Sequence, residues 1–269
     1  MRTLNKTILA VALAAVTASA FAADAPAPAP DYTLTANVGA VSDYYFRGQT
    51  QTWHKPALQG GIDFVHSSGW YAGLWGSSVS GNQYPNGSGL ELDYYGGYNG
   101  TVGDFGYTAG LYGYEYTGAH YNNPQGTKFN TLEFNIGGSW KWASVKYSQA
   151  LTDYFGANID TGFTGKSSGS SYLEANIAYP LMDDLTLNLH AGHTNFKSDL
   201  AAAVNGSTNP DYSDYKVGLT KTFTGGWNVG AAYVVATNST IYGNVVSAVS
   251  TDTANLVKGT LVISAGRSF

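Results

Sequence analysis

The chain has 269 residues, of which 34 are glycine, 21 are tyrosine and none is cysteine. Its 18 acidic and 13 basic residues give a formal net charge of −5, which argues against nucleic acid as a partner because Lys and Arg contacts to phosphate dominate such binding. Disulfides are excluded, and the abundance of glycine and tyrosine is typical of proteins built from short strands, tight turns and aromatic belts.

The first 22 residues have the pattern of a secretory signal peptide. Arg2 and Lys6 precede an apolar run at 8–16, and Ala20-Phe21-Ala22 forms a small-x-small cleavage site. The apolar run is too short for a transmembrane helix, which needs about 20 residues. Residues 23–30 alternate alanine with proline, which predicts a stiff extended spacer. We therefore expect the fold to occupy residues 31–269.

The remaining sequence alternates apolar and polar residues, which is the pattern of strands with one face in water and one in lipid. In the segments 33–40, 131–136 and 185–192, for example, every second residue is apolar. The pattern predicts twelve strands, at 32–45, 55–65, 70–80, 90–98, 105–116, 129–139, 142–154, 171–179, 185–195, 213–223, 227–238 and 256–269.

Short and long connections alternate between these strands, as expected for periplasmic turns and extracellular loops. A soluble β-sandwich would not show this rhythm. The sequence thus predicts an all-β fold, a transmembrane antiparallel up-and-down β-barrel of about twelve strands in the bacterial outer membrane. The segment 199–204 is unusually apolar for an extracellular loop and is a candidate for folding into the barrel. The segment 241–249 is also unusual and is predicted to extend a strand above the membrane.

The last predicted strand has its apolar residues at odd positions and ends on Phe269. This ending resembles the terminal aromatic that outer-membrane barrels present to the barrel-assembly machinery, which we therefore expect as a partner together with outer-membrane lipid. Arg267 departs from the resemblance, because an apolar residue is usual at that position.

Charged residues recur on the inward phase of alternate strands, 40 to 42 residues apart. We predict an acidic arc of pore-lining residues that faces a basic arc, and the transverse field between them would favour polar solutes. The alternative is that oppositely charged residues such as Glu174 and Lys216 neutralise each other in a packed lumen. The acidic arc comprises Asp93, Glu133 and Glu174, and the basic arc comprises Arg47, Lys55, Lys216 and Lys258.

Aromatic residues fall into an outward and an inward set. The inward set either stacks against the ring of a sugar or nucleoside, or fills space. The outward set, several of whose members lie near strand ends, is predicted to form the aromatic girdles of the membrane interfaces. The inward aromatics are Tyr71, Trp75, Tyr95, Tyr112 and Tyr114, and the outward ones include Trp70, Tyr94, Tyr98, Phe105, Tyr107, Tyr179, Trp227 and Tyr233.

The segment Val41-Ser42-Asp43-Tyr44-Tyr45-Phe46-Arg47-Gly48 resembles the opening signature of the TorF family of porins. Residues 91–98, 153–156 and 172–176 are also similar to that family, so the resemblance extends over nearly the whole mature chain. It implies an outer-membrane barrel that acts as a pore.

We predict a non-enzymatic porin for passive diffusion of small hydrophilic solutes, with no cofactor and no metal, since the histidines lack zinc-ligand spacing. One alternative is a non-conducting barrel with a structural or surface-interaction role. Another is a lipid-acting enzyme, because His193 falls on the outward phase near the extracellular rim, like the histidine of the outer-membrane phospholipase. That enzyme has its nucleophilic serine two residues later, where this chain has Asn195.

Overall fold

A computed structural model describes residues 30–122 and 126–269. The predicted signal peptide, and all but the last residue of the predicted spacer, lie outside these ranges. Within them, twelve antiparallel strands pair in chain order, and the first strand also pairs with the last, so the sheet closes into a barrel. The predicted fold class and strand number are confirmed.

The barrel strands begin and end within a few residues of the predicted positions. The largest differences are at 42–45, 151–154 and 256–259, which were predicted as strand but leave the wall, and at 99–102, which extend it. The strands are β1 (Tyr32–Val41), β2 (Ala57–His66), β3 (Trp70–Ser78), β4 (Leu90–Val102), β5 (Phe105–Tyr116), β6 (Thr131–Trp140), β7 (Ala143–Ala150), β8 (Ser171–Met182), β9 (Leu185–Asn195), β10 (Tyr212–Thr222), β11 (Trp227–Ala236) and β12 (Thr260–Ser268).

Short elements lie in the connections. Two pairs of two-residue strands form small ladders, and the helical pieces are three or four residues long. The ladders are Tyr45–Phe46 with Gln49–Thr50 and Val245–Val246 with Thr253–Ala254, and the helical pieces are Tyr154–Gly156, Ile159–Thr161, Thr224–Gly226 and Ser239–Tyr242. No helix among the described residues is long and apolar enough to cross a membrane.

The outer wall of the barrel is apolar. Large apolar side chains such as Leu58, Leu74 and Leu261 alternate with inward residues and are more than half exposed. Such an exposed band is stable only in lipid, and closure of the sheet leaves no unpaired edge inside the bilayer. The chain is therefore an outer-membrane barrel.

The last strand closes the barrel through the terminal residue itself. The backbone N–H of Phe269 donates to the carbonyl of Ala36 at 2.9 Å, and the N–H of Ala36 donates back at 3.2 Å. Arg267, the departure from the expected ending, lies with its guanidinium 4.6 Å from the ring centre of Phe269 and 5.3 Å from that of Trp227. An outward arginine at the barrel rim is thus covered by aromatic rings.

We assign the long connections to the extracellular side, as is typical of such barrels. A single cysteine at Ala202, which is exposed in the loop 196–211, should react with a membrane-impermeant thiol reagent in intact cells. A cysteine at Asp183, exposed in the two-residue turn between β8 and β9, should react only after the outer membrane is opened. The opposite labelling pattern would show that the barrel has the reverse orientation.

Candidate functional site

The lumen is crossed by a hairpin that follows β1, and we call residues 43–54 the lumen hairpin. Its two short strands are joined by Arg47 and Gly48, whose φ angles are 46° and 74°. Two successive positive φ angles match a type I′ turn, the connection that best fits the twist of a two-residue hairpin. Several of its residues, including Asp43, Thr50 and Gln51, are almost fully buried, so it fills space inside the barrel.

The tip of the lumen hairpin touches the wall on β10 and β11. A Cβ atom added to Gly48 would lie 2.3 Å from the Cβ of Asp214 and 2.7 Å from the Cβ of Ala236. Because real Cβ atoms do not approach so closely, this contact and the positive φ together require glycine at the turn. The hairpin therefore extends from β1 across the lumen to these strands.

Arg47 fastens the tip to the wall at β6. Its Nη1 and Nη2 donate to Oε1 and Oε2 of Glu133 at 2.8 and 2.7 Å, and Nη1 also donates to the hydroxyl of Tyr154 at 2.9 Å. The guanidinium lies 4.3 Å from the ring centre of Tyr172. Burial is the largest single influence on the pKa of Arg47 and lowers it, but Glu133, Tyr154 and Tyr114 together outweigh burial, so the pKa lies above its usual range. This is a bidentate ion pair of the strongest protein type.

The base of the lumen hairpin is closed by Asp43. Its carboxylate accepts hydrogen bonds from the hydroxyl of Thr52 at 3.0 Å and from Nδ1 of His54 at 2.7 Å. The other ring nitrogen of His54 lies 2.9 Å from the carbonyl oxygen of Asn255. These contacts join both ends of the hairpin to each other and to the last extracellular loop.

Backbone hydrogen bonds also connect the lumen hairpin to neighbouring loops. The N–H of Thr50 donates to the carbonyl of Leu256 at 2.9 Å, and the N–H of Ser80 donates to the carbonyl of Gln51 at 2.9 Å. The segment expected to fold inward, 199–204, stays among the loops and is exposed or partly exposed. That expectation was wrong, because the hairpin after β1 occupies the space. Within 241–249, which was expected to extend a strand, only Val245–Val246 is strand, and it pairs with Thr253–Ala254 apart from the barrel sheet.

The three predicted acidic residues all point into the lumen and have different partners. Glu133 is paired with Arg47. Glu174 is paired with Lys146 of β7 at 2.8 Å, so a lysine neutralises it as in the alternative prediction, although that lysine is not Lys216. Asp93 is 3% exposed and accepts a hydrogen bond from the hydroxyl of Tyr112 at 3.0 Å.

The four predicted basic residues do not form one arc. Arg47 lies among the acidic residues, because the hairpin carries it across the lumen. Lys55 and Lys258 are exposed in loops, next to the start of β2 and of β12. Lys216 projects inward from β10 and is exposed.

Two of the five predicted inward aromatics pack against the lumen hairpin. Trp75 meets Tyr44 of the hairpin edge to face, with ring centres 5.5 Å apart, and Tyr114 meets Phe46 in the same way at 5.3 Å. The other three lie on the wall: Tyr95 and Tyr112 stack on each other at 4.9 Å, and the hydroxyl of Tyr71 lies against the glycines Gly97 and Gly110. In this structure all five rings contact other protein groups. This agrees with the alternative that the inward aromatics fill space.

Sequence reasoning missed several lumen residues. Lys146 belongs to β7, a strand on which no charge was sought. Glu91 and Asp214 each lie two residues before a charge that was considered, Asp93 on β4 and Lys216 on β10, and on the same inward face. His190 lies between acceptors, with Nε2 2.8 Å from Oδ1 of Asp214 and Nδ1 2.7 Å from Oδ1 of Asn176. A search for every inward charge on every strand, rather than for one charge on each alternate strand, would have found the three charged residues.

The periplasmic half of the lumen has a different character. Its inward side chains are small and polar, and they are exposed or partly exposed to solvent. They include Thr33, Asp63, Thr108, Thr186, Asn188, Thr220, Asn228 and Ser264. The lumen is therefore filled at the extracellular end and lined with water-accessible polar groups at the other.

On the outer face, His193 lies beside a serine of the adjacent strand. Its Nδ1 is 2.9 Å from the hydroxyl of Ser213, and both side chains lie near the extracellular rim. Asn195, at the position where the phospholipase has its serine, donates instead to Asp211 at 3.2 Å.

A family model described as "Bacterial protein of unknown function (Gcw_chp)" matches residues 24–269. The fold is similar to that of the NanC porin, at 11% identity and a TM-score of 0.53, covering 88% of this chain and 99% of that one. It is also similar to the KdgM porin in complex with disordered oligogalacturonate, at 9% identity and a TM-score of 0.50, covering 88% and 98%. Curated proteins give no match. These comparisons establish a porin-like barrel, whereas the TorF family name remains a resemblance.

Proposed function

From the premise that the chain belongs to the Gcw_chp family of bacterial proteins of unknown function, we propose that it is an outer-membrane channel for small hydrophilic solutes. The observation that carries this proposal is the periplasmic half of the lumen, where polar side chains are accessible to water. A barrel with a purely structural role would gain stability from a packed interior there. Diffusion through such a channel needs no cofactor and no chemical step.

In this proposal the lumen hairpin is the barrier to solutes. It fills the extracellular half and is held by side-chain contacts and a few backbone hydrogen bonds, not by a full strand ladder. Solutes pass when it is displaced. Insertion of the barrel into lipid by the assembly machinery, through the strand that ends in Phe269, is part of the same proposal.

The proposal is tested by single-channel recording in a planar bilayer. Purified, refolded protein should give discrete conductance steps in KCl, with long closed periods because the hairpin occupies the extracellular half. Heat-denatured protein is the control for leakage. A barrel that inserts, as shown by its heat-modifiable migration on gels, and yet never conducts would support the structural alternative.

Ion preference should depend on Lys216, the inward lysine that is exposed in the lumen. Replacing it with Gln removes a positive charge in a narrow lumen, where charges act more strongly than in bulk water. We expect the reversal potential in a KCl gradient to shift toward cation preference, and the shift to shrink as the salt concentration rises. Lys141→Gln, in an exposed periplasmic turn, is the matched control and should leave the reversal potential nearly unchanged.

A lipid-acting enzyme is the second candidate, and the contact between His193 and Ser213 favours it. Histidine activates serine in hydrolases, and this pair faces the lipid. If the pair is catalytic, phospholipid hydrolysis by the purified barrel will be lost in both His193→Ala and Ser213→Ala. Hydrolysis that is absent from the wild type, or that persists in both variants, eliminates this candidate.

A further inference from the structure

The guanidinium of Arg47 occupies a site whose binding groups all lie outside the lumen hairpin. Glu133 on β6 accepts from both terminal nitrogens at 2.8 and 2.7 Å, and the hydroxyl of Tyr154 accepts at 2.9 Å. The central carbon of the guanidinium lies over the ring of Tyr172 on β8, 4.3 Å from the ring centre. A carboxylate, a hydroxyl and an aromatic face therefore form a guanidinium site that does not use any group of the hairpin.

Contacts elsewhere in the barrel hold the two aromatic members of this site. The hydroxyl of Tyr172 donates to Asp214 at 3.0 Å and lies 3.0 Å from Nε2 of His190. The ring of Tyr154 meets the ring of Phe196 edge to face, with ring centres 5.1 Å apart. These contacts do not depend on Arg47, so the site is preorganised for a guanidinium group and is not created by the arginine that occupies it.

Arg47 is held less favourably than the site that binds it. Its φ angle of 46° lies in the left-handed region, which costs free energy for a residue with a Cβ atom. It lies at the tip of a hairpin that must be displaced before solutes can pass through the channel proposed above. Displacement withdraws the guanidinium from Glu133, and a buried carboxylate that loses its only cation is strongly destabilised. A cation from solution is therefore favoured in the place of Arg47.

The site borders the part of the lumen that water reaches. Glu174 lies two residues after Tyr172 on the same inward face of β8, and it is paired with Lys146, whose side chain is 46% exposed. Farther toward the periplasm, the inward side chains are small and polar, such as Asn188 and Thr186. A solute that passes the displaced hairpin thus meets the site first and the polar periplasmic half afterwards.

We propose that Glu133, Tyr154 and Tyr172 bind the guanidinium group of a small cationic solute once the hairpin has moved, and that Arg47 fills this site in the closed barrel. The inference rests on the channel function proposed above and names its class of solute. A guanidinium is planar and donates in a fork that matches one carboxylate, whereas an ammonium is a compact point charge. A solute that binds only where Arg47 has left also shifts the hairpin toward the displaced state.

The test uses ethylguanidinium as the probe and Arg47→Ala as the variant that empties the site. Isothermal titration calorimetry of this full-length variant, refolded in detergent, should show one binding site per chain. Ethylammonium should bind about tenfold more weakly or worse, since it loses at least one hydrogen bond to a charged group, and neutral ethylurea should not bind. The wild type should bind ethylguanidinium far more weakly than Arg47→Ala does, because its own guanidinium occupies the site.

Two further variants separate the site from nonspecific binding of cations. Arg47→Ala combined with Glu133→Gln should not bind the probe, because the carboxylate is gone. Arg267→Ala removes a guanidinium that packs on the rings of Trp227 and Phe269 at the outer rim, and it should create no site. If folded Arg47→Ala does not bind ethylguanidinium, or binds ethylammonium equally well, the proposal is wrong. If Arg47→Ala does not fold, a barrel with a Gly-Ser linker in place of residues 44–53 gives the same test, because it lacks Arg47 and keeps the site.

Single-channel recording distinguishes this inference from the channel proposal itself. Ethylguanidinium, at concentrations well above those that saturate Arg47→Ala, should lengthen the open periods of the wild type, and ethylammonium at equal ionic strength should not. Open periods that stay unchanged would show that the solute does not displace Arg47. A barrel that binds the probe but never conducts retains the site and refutes the channel, whereas conduction without binding refutes the site alone.

Discussion

Replacing residues 44–53 by a short Gly-Ser linker should raise the single-channel conductance several-fold and remove the long closed periods. The linker can be short, because Asp43 and His54 at the two ends are joined by a 2.7 Å hydrogen bond. Without the hairpin, the extracellular half of the lumen opens to its wall. Twelve strands enclose a lumen between the filled eight-stranded barrels and the open sixteen-stranded porins.

The matched control is a deletion in a loop that does not enter the lumen. Residues 204–207 form a small exposed turn in the loop 196–211, closed by mutual hydrogen bonds between Val204 and Ser207. Removing them should change neither the conductance nor its gating. If deletion of the lumen hairpin also leaves the conductance unchanged in a barrel that still folds, the hairpin is not the barrier, and the proposal that solutes pass when it is displaced is wrong.

The barrel itself could be predicted from sequence because its determinants are local and periodic. Alternation with a period of two fixes which face of each strand meets lipid, as in 185–192, and loop lengths fix the pairing order. Once those are known, closure of β12 on β1 follows, since an open edge is not tolerated in the bilayer. No distant contact has to be known for any of these steps.

The lumen hairpin could not be predicted in the same way. Its residues read as the end of a strand followed by a loop, and Arg47-Gly48 is not among the common dipeptides of a type I′ turn. What sends the segment inward is a set of long-range contacts, with Glu133 on β6, Asp214 on β10 and Asn255 in the last loop. These residues are far apart in the sequence, and they come together only at the same height in the folded barrel. The sequence pattern therefore does not predict the contacts between them.

The charge pattern shows the same limit within the candidate site. The spacing of 40 to 42 residues correctly identified inward positions on β4, β6, β8 and β10, but it carried no information about partners. Glu174 is paired with Lys146 on the neighbouring strand, and Arg47 reaches Glu133 from a loop. An arc of free basic residues therefore does not form, and the acidic side is the more crowded part of the lumen.

Arg47→Met should both destabilise the barrel and open it. The substitution leaves Glu133, which is 1% exposed, without a cation, and breaking a buried ion pair on one side costs about 3–5 kcal/mol. Methionine has a similar reach, and it pays the same positive-φ cost as arginine, so the backbone is not a confounding factor. We expect a lower denaturant midpoint in vesicles and more frequent conducting openings, because release of the hairpin lets Glu133 meet water.

Three further variants separate the ion pair from other effects of position 47. Arg47→Lys keeps the charge but loses the two-pronged geometry, so it should lie between the wild type and Arg47→Met. Arg47→Met combined with Glu133→Leu removes both charges and should recover most of the lost stability, since a buried pair replaced by apolar side chains is often neutral. Glu133→Leu alone should resemble Arg47→Met, because it leaves the guanidinium unpaired. If Arg47→Met is as stable and as rarely open as the wild type, the ion pair does not hold the hairpin. The hairpin is then held by the contact between Asp43 and His54 and by its packing against Trp75 and Tyr114.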